Sequence, residues 1–349
     1  MMRIAIDASR TTVARVTGTE RYALELIKGI IQHNTQHQIT LYFRDTPLPD
    51  LFPTSDLVTN RVIPFKQAWT HLRFAAALWQ DRPDVTFVPA HTLPLAFPGK
   101  AIVTVHDLGY KLFPQAHPFN QRLYLDVTTR YSARRATRIF ADSQATANDL
   151  TRFYGTSADK IQVIYPGVEP PIINDVDVFT KYNLPARYFL FIGTLQPRKN
   201  IKGIVQAYAH YRAQTANPAG LVLAGGQGWL YDPAWVAGVD GVHLTGYIDE
   251  ADKGALYHHA LGLVFPTLYE GFGFPVIEAM HCGTPVIAST TSSLPELAGD
   301  TGLLVDPENI PQIAAAMAQL ESMPHTTYQL EKFTWEQAAK QALEGLEHV

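Results

Sequence analysis

The residues with the clearest chemical potential are two carboxylates, in the segment Glu270-Gly-Phe-Gly-Phe-Pro-Val-Ile-Glu278. Gly271 and Gly273 leave out Cβ atoms where a main chain has to come close to a ligand. Pro275 suits the first turn of a helix, where its missing N–H would have no intrahelical partner. Val276, Ile277, Ala279 and Met280 can continue that helix, and Leu261 to Phe265 before the loop is a short apolar run of strand type. Strand, glycine loop and helix N-terminus together make an anion site of free backbone N–H groups. Carboxylates are poor partners for a phosphate. Glu270 and Glu278 are better suited to accept hydrogen bonds from hydroxyls beside it, and sugars are rich in hydroxyls.

Cations come from a second strand-to-helix junction, Gly193-Thr-Leu-Gln-Pro-Arg-Lys-Asn200. Arg198 and Lys199 stand at the entrance of the next helix, where they either clamp a diphosphate or sit solvated on a turn. A second glycine loop on the same side of the same sheet favours the clamp. Gly225-Gly226 ends the strand Leu221 to Ala224 and is read either as a cleft lining or as a tight turn. Gly246-Tyr247-Ile248 follows the strand at His243-Leu244, where backbone groups can hold a nucleotide base. In the first half, Gly18 opens a helix and His106 ends the strand Ala101 to Val105, a position where a histidine is either structural or part of a site. His258 and His259 are adjacent, so on a helix they diverge by about 100° and suit a metal poorly.

These loops need a scaffold of alternating strands and helices. Arg3 to Asp7, Ile39 to Phe43, Val85 to Val88, Ala101 to Val105 and Arg138 to Ala141 read as strands, with helices over Thr19 to Ile31 and Asn120 to Ala136. The Pro- and Gly-rich stretch Tyr165 to Pro171 is the linker candidate, and the same grammar restarts at Tyr188 to Ile192 and runs to Gly302 to Val305. The expectation is two doubly wound α/β domains, 1–168 and 169–330, with a final amphipathic helix over 331–349. Ligands then belong in the interdomain cleft at the carboxyl ends of the strands.

Composition is that of a globular and not a disordered protein, with 46% hydrophobic and 17% charged residues. Residues 1–168 hold 19 Lys+Arg and 13 Asp+Glu (+6), and residues 169–349 hold 9 and 19 (−10), giving the overall −4. A basic first half suits an anionic acceptor or a membrane surface, and an acidic second half argues against nucleic acid. Arg130, Arg134 and Arg138 fall at helical spacing on one face, read either as a solvated face or as a contact for anionic lipid. Cys282 is the only cysteine, so no intrachain disulfide forms. No secretory leader and no apolar run of about 18 residues is found. A cytoplasmic protein is expected, at the inner face of the membrane if the arginine face is the lipid contact.

The ordered set of motifs resembles the retaining family 4 glycosyltransferases with the GT-B fold. The likeness rests on Val103 to Asp107, Ala141-Asp-Ser143, Tyr165 to Glu169, Gly193 to Asn200, Pro266 to Glu278, Cys282-Gly-Thr-Pro285 and Leu294-Pro-Glu-Leu297. The Glu-x7-Glu segment is the most specific of these. The resemblance implies a nucleotide-sugar donor in the second domain, a glycan or lipid-linked acceptor in the first, and a last helix that packs back on the first domain. On its terms Glu278 binds the ribose, Glu270 the donor sugar, and Gly271, Phe272 and Gly273 the sugar and diphosphate. Lys199 and Arg198 neutralise the diphosphate, Gly18 approaches it, His106 contacts the transferred sugar, and Tyr247 and Ile248 flank the base. No metal or cofactor is implied. Thr194 stands where many relatives have arginine, so Arg198 is expected to replace that charge. The Gly-Thr-Leu-x-Pro-Arg-Lys-Asn variant resembles the mannosyl- and rhamnosyl-transferase branch, which makes GDP and mannose the favoured donor pair. A phosphorylase or sugar-nucleotide epimerase on the same fold, and a non-catalytic sugar-nucleotide-binding protein, are the competing readings.

Overall fold

The computed structural model describes residues 1–13, 18–53, 55–116 and 118–349. The chain forms two compact units, one of Met1–Gly167 with Lys332–Val349, the other of Val168–Glu331. Each is built on a parallel sheet flanked by helices.

In the first unit the strands are β1 (Arg3–Asp7), β2 (Gln38–Phe43), β3 (Val58–Val62), β4 (Val85–Val88), β5 (Lys100–Val105), β6 (Arg138–Ala141) and β7 (Ile161–Val163), in the order β3-β2-β1-β4-β5-β6-β7. In the second they are β8 (Tyr188–Ile192), β9 (Gly220–Ala224), β10 (Val242–Gly246), β11 (Gly262–Phe265), β12 (Val286–Ser289) and β13 (Leu303–Val305), in the order β10-β9-β8-β11-β12-β13. Every residue of β8, β9, β11 and β12 is buried, because a parallel sheet is covered on both faces. Each sheet reverses its winding once, between β1 and β4 and between β8 and β11. Loops leave those neighbouring strands in opposite directions, so a crevice opens at their carboxyl ends.

The helix Gly18–His33 buries Tyr22, Ala23, Leu26, Ile27, Ile30 and Ile31 along one stripe. Trp335–Glu347, the last helix, lays Trp335, Ala338, Ala339, Ala342 and Leu346 into the same core. The two helices pack closely enough that a Cβ on Gly29 would lie 2.5 Å from the Ala339 methyl. Trp335 also covers Gly167, where an added Cβ would lie 2.2 Å from the Trp335 backbone nitrogen. The Tyr165-Pro-Gly-Val-Glu169 motif is thus a packing device at the point where the chain leaves the first unit.

One expectation about the helices is corrected. The helix predicted over Asn120 to Ala136 runs Phe119–Arg135, and Ala136 is extended (φ −57°, ψ 144°). Arg138 is therefore the first residue of β6, where its guanidinium donates to Gln162 Oε1 at 3.0 Å. The helical stripe of three arginines does not exist. Pairing of β6 with β5, in which Ile139 sits beside Val103, ends the helix before the third arginine.

Candidate functional site

Arg198 and Lys199 leave the end of β8, and Glu270 leaves the end of β11, so they meet at the reversal of the second sheet. Lys199 Nζ lies 2.5 Å from Glu270 Oε1, and Arg198 Nη1 lies 3.3 Å from Oε2. Arg198 also donates to the Tyr269 carbonyl at 2.8 Å. Asn200 makes this possible. It adopts a left-handed conformation (φ 59°), and its side-chain amide donates to the Pro266 and Pro307 carbonyls at 3.0 and 2.7 Å. Those bonds pin the short turn Pro197–Lys199 over the end of β11. The Leu268 N–H closes the junction on the Arg198 carbonyl at 3.0 Å.

Glu270 is held from its backbone as well. Its N–H donates to Ser292 Oγ at 3.0 Å, and Ser293 Oγ donates to the Glu270 carbonyl at 3.1 Å. Ser293 also contacts the Phe272 carbonyl. Gly271, Phe272 and Gly273 are buried, and Gly273 has φ +127° with an ideal Cβ 2.7 Å from Leu294 Cδ2. Only glycine fits that position. The helix Phe274–His281 then starts with Pro275 in its first turn, as the sequence predicts.

Glu278 lies on the buried side of that helix. Its Oε2 accepts the Tyr257 hydroxyl at 2.8 Å, and its Oε1 accepts from Lys253 Nζ at 3.3 Å. Each carboxylate oxygen has a second lone pair, so the group keeps acceptor capacity for further hydroxyls. Burial works against the Lys253 ammonium, but Glu278 and Glu250 outweigh it and raise its pKa. Lys253 and Tyr257 were not singled out in the sequence. Their i, i+4 spacing on the helix Lys253–His259 is the signal that finds them.

The other predicted donor-side residues sit at strand ends of the same sheet. Thr194 follows β8 and is exposed, Tyr247 follows β10 and is 83% exposed, and Ile248 is buried. The structure does not join Tyr247 to the Glu270 cluster. Gly225 and Gly226 differ in what surrounds them. Gly225 (φ +145°) is packed against the Gly193 carbonyl, whereas an ideal Cβ on Gly226 meets nothing within 4 Å.

In the first unit His106 follows β5 and is buried. Its Nδ1 lies 2.7 Å from Asp142 Oδ2, at the end of β6, and Tyr22 packs edge-on to the ring at 4.8 Å. Burial disfavours the imidazolium, but the Asp142 carboxylate, with Asp107 behind it, holds the His106 pKa above its ordinary value. The neighbouring His91, with ring centroids 5.3 Å apart, is pushed down to about 4 by burial and by His106. The Ala141-Asp-Ser143 motif therefore supplies a partner for His106 and, through Ser143 Oγ, a cap that accepts the Thr146 N–H at 3.1 Å. Asp142 was missed as a site residue, although it ends an apolar strand just as His106 does. Gly18 is the exposed first residue of its helix, and residues 14–17 before it lie outside the described residues. Among the described residues no group of three His, Cys, Asp or Glu is placed to hold a metal ion.

Known proteins resemble the chain along nearly its whole length. The family model for Glycosyltransferase Family 4 matches residues 16–170, and that for Glycosyl transferases group 1 matches residues 178–340. The chain is 30% identical to O-antigen chain mannosyltransferase B of Escherichia coli, over 94% of this chain and 95% of that protein. It is 28% identical to the serotype-specific mannosyltransferase WbdA of Escherichia coli, across 99% of this chain and 48% of that longer protein. Among solved structures, Anabaena HepE in complex with UDP and glucose superposes with a TM-score of 0.71 at 16% identity, covering 100% of both chains. The 30% identity over nearly the whole of both proteins, with family models matching both halves of the chain, shows that the chain is a glycosyltransferase of family 4, in its mannosyltransferase-like branch.

Proposed function

We propose that the chain is a retaining mannosyltransferase that moves mannose from GDP-mannose to a hydroxyl of a glycan or lipid-linked acceptor in surface polysaccharide synthesis. The observation that carries this reading is the convergence of Arg198, Lys199 and Glu270 at the reversal point of the second sheet. The mannosyltransferase names of the relatives support the sugar. On this reading Met1–Gly167 takes the acceptor and Val168–Glu331 the donor. Glu270 holds the two cations where the diphosphate arrives, and it keeps lone pairs for the donor sugar. As the bond to the sugar breaks, negative charge grows on the diphosphate, and the fixed cations stabilise it. Both Glu270 oxygens are paired with cations, which makes that carboxylate a weak nucleophile. This favours departure and attack on one face, with the leaving diphosphate taking the acceptor proton, over double displacement through a carboxylate pair.

Glu278 is assigned to the ribose hydroxyls. Glu278→Gln keeps the shape but removes the charge, and hydrogen bonds to a charged group contribute about 1.5–3 kcal/mol. The expected result is a nucleotide Kd raised by about tenfold or more in calorimetry; the melting temperature of the free protein should fall as well, because Lys253 loses a buried counter-ion, so binding is compared well below that temperature. GDP bound with undiminished affinity would remove Glu278 from the donor site. Thermal shift against GDP, UDP, dTDP and ADP identifies the base, and release of a sugar phosphate without nucleotide would mark a phosphorylase instead.

Membrane contact belongs to the same proposal, on revised residues. Arg130 and Arg134 are exposed on the helix Phe119–Arg135, and Phe119, Leu123 and Val127 are exposed along that same side at i, i+4, i+8. Apolar side chains and arginines on one face suit the surface of an anionic bilayer at the inner side of the membrane. Among the described residues no helix is long and apolar enough to cross it. The protein should sediment with phosphatidylglycerol vesicles at low salt, and Leu123→Glu with Arg134→Glu should release it. Equal sedimentation of native and variant chains would rule this face out.

A further inference from the structure

The first unit holds two adjoining cavities at the reversal of its sheet, next to the ends of β1 and β4. One, of about 360 Å³, is lined at its inner end by Asp7, Glu20 and His91. The other, of about 250 Å³, is lined by Arg10, Arg44, Lys66 and His71. Ser9, Arg10, Thr70 and Tyr124 line both, so the two are one groove with a shared wall.

The groove changes character along its length. The inner end is built to accept hydrogen bonds. Asp7 is buried and takes the Ser9 N–H at 2.9 Å, and Glu20 is buried. His91 Nδ1 is buried without a hydrogen-bond partner among the described residues. Its ring packs on His106, the residue expected beside the transferred sugar. The outer end presents three permanent cations, and no carboxylate lines it among the described residues. Two of these cations are partly engaged at the edge, Arg10 with Glu20 at 3.3 Å and Arg44 with Asp45 at 2.8 Å. Both guanidinia remain about half exposed, at 54% and 40%, and Lys66 is exposed. Two guanidinium forks and one ammonium around one cavity match a phosphoryl group, which takes several charge-assisted hydrogen bonds at once.

We infer that this groove reads an acceptor that carries a phosphoryl group: the glycan's hydroxyl end lies against Asp7, Glu20 and His91, and its phosphate lies against Arg10, Arg44 and Lys66. This deepens the proposed function, on which it rests, because it names the chemical class of the acceptor. It also accounts for the excess of positive charge in the first half of the chain, which the donor does not need.

The test uses the full chain and three soluble acceptors with one mannose disaccharide, linked to an alkyl diphosphate, to an alkyl monophosphate, or to the alkyl group directly. Binding is followed by calorimetry and transfer by chromatography. The native chain should bind at least one phosphorylated form about tenfold more tightly than the neutral glycoside. In Arg44→Gln/Lys66→Gln that ratio should fall to about one, whereas in Lys199→Ala it should persist, because Lys199 belongs to the other unit. Preference for the diphosphate points to a lipid carrier, and equal use of the monophosphate points to a phosphate on the glycan. Equal binding of all three acceptors, or a preference that survives Arg44→Gln/Lys66→Gln, overturns the inference. Selective binding without transfer from any nucleotide-sugar would count against the mannosyltransferase reading and leave the anion subsite standing.

Discussion

Replacing Lys199 with alanine should lower kcat by about 10²–10³-fold while the donor KM changes little. The split follows from where the lysine's charge is engaged. Before reaction Lys199 is already neutralised by Glu270 at 2.5 Å, with its ammonium 5.1 Å from the centre of the Phe265 ring and its side chain 13% exposed. It therefore contributes little to ground-state binding. On the proposed reading its contribution grows only as the leaving diphosphate gains charge, and an interaction of that kind appears in kcat. Lys199→Arg should recover part of the rate, since the charge returns with a different geometry. Arg198 holds Glu270 Oε2 at 3.3 Å, so Glu270 keeps one cation in the alanine variant and the unit should remain folded. Circular dichroism checks folding, and a continuous nucleotide-release assay reads the rate. Activity within twofold of native would remove Lys199 from the chemistry.

Gly225→Ala should destabilise the second unit by about 3 kcal/mol or more, and activity should fall with it. Gly225 has φ +145°, a conformation that side chains rarely adopt, and an ideal Cβ would lie 2.1 Å from the Gly193 carbonyl oxygen. The obstacle is backbone, not a movable side chain, so the neighbouring chain has to shift. That chain is the start of the segment leading to Arg198 and Lys199. It is tied in place by the Gly193 N–H on the Ala224 carbonyl at 2.9 Å, and the Gly225 N–H on the Gly246 carbonyl at 2.8 Å. Three strand ends are thereby joined, and displacing one moves the cations off Glu270. Gly226→Ala is the internal control. It has no contact within 4 Å and no positive φ, so its urea midpoint should stay close to native. Equal midpoints for the two variants would mean that the second unit relaxes at Gly225 without strain.

The buried strands were readable because a parallel sheet demands unbroken apolar runs. Tyr188–Ile192 and Val85–Val88 are such runs, and every residue in them is buried. The strands that escaped notice lie at the edges of the first sheet. Val58–Val62 carries Thr59, Asn60 and Arg61 with no residue fully buried, and Ile161–Val163 has three residues. An edge strand is half solvated and loses the signal that betrays a central one. The helix end at Arg135 was hidden for another reason. No glycine or proline marks it, and it is set by the pairing of Arg138–Ala141 with β5.

By itself the sequence determined the loop types and the chemistry they offer: glycines where the main chain turns tightly, Pro275 in a first helical turn, acids at 270 and 278, and cations at 198 and 199. These follow from local backbone rules that act over a few residues. Only the tertiary structure decided which charges meet. Lys199 and Glu270 are 71 positions apart and touch because β8 and β11 are neighbours at the reversal of the sheet. Asp142 reaches His106 across 36 positions because β6 lies beside β5, and Lys253 and Tyr257 reach Glu278 because their helix packs on Phe274–His281. Strand order is set by how two apolar faces are covered at once, a property of the whole sheet that no local stretch of sequence carries.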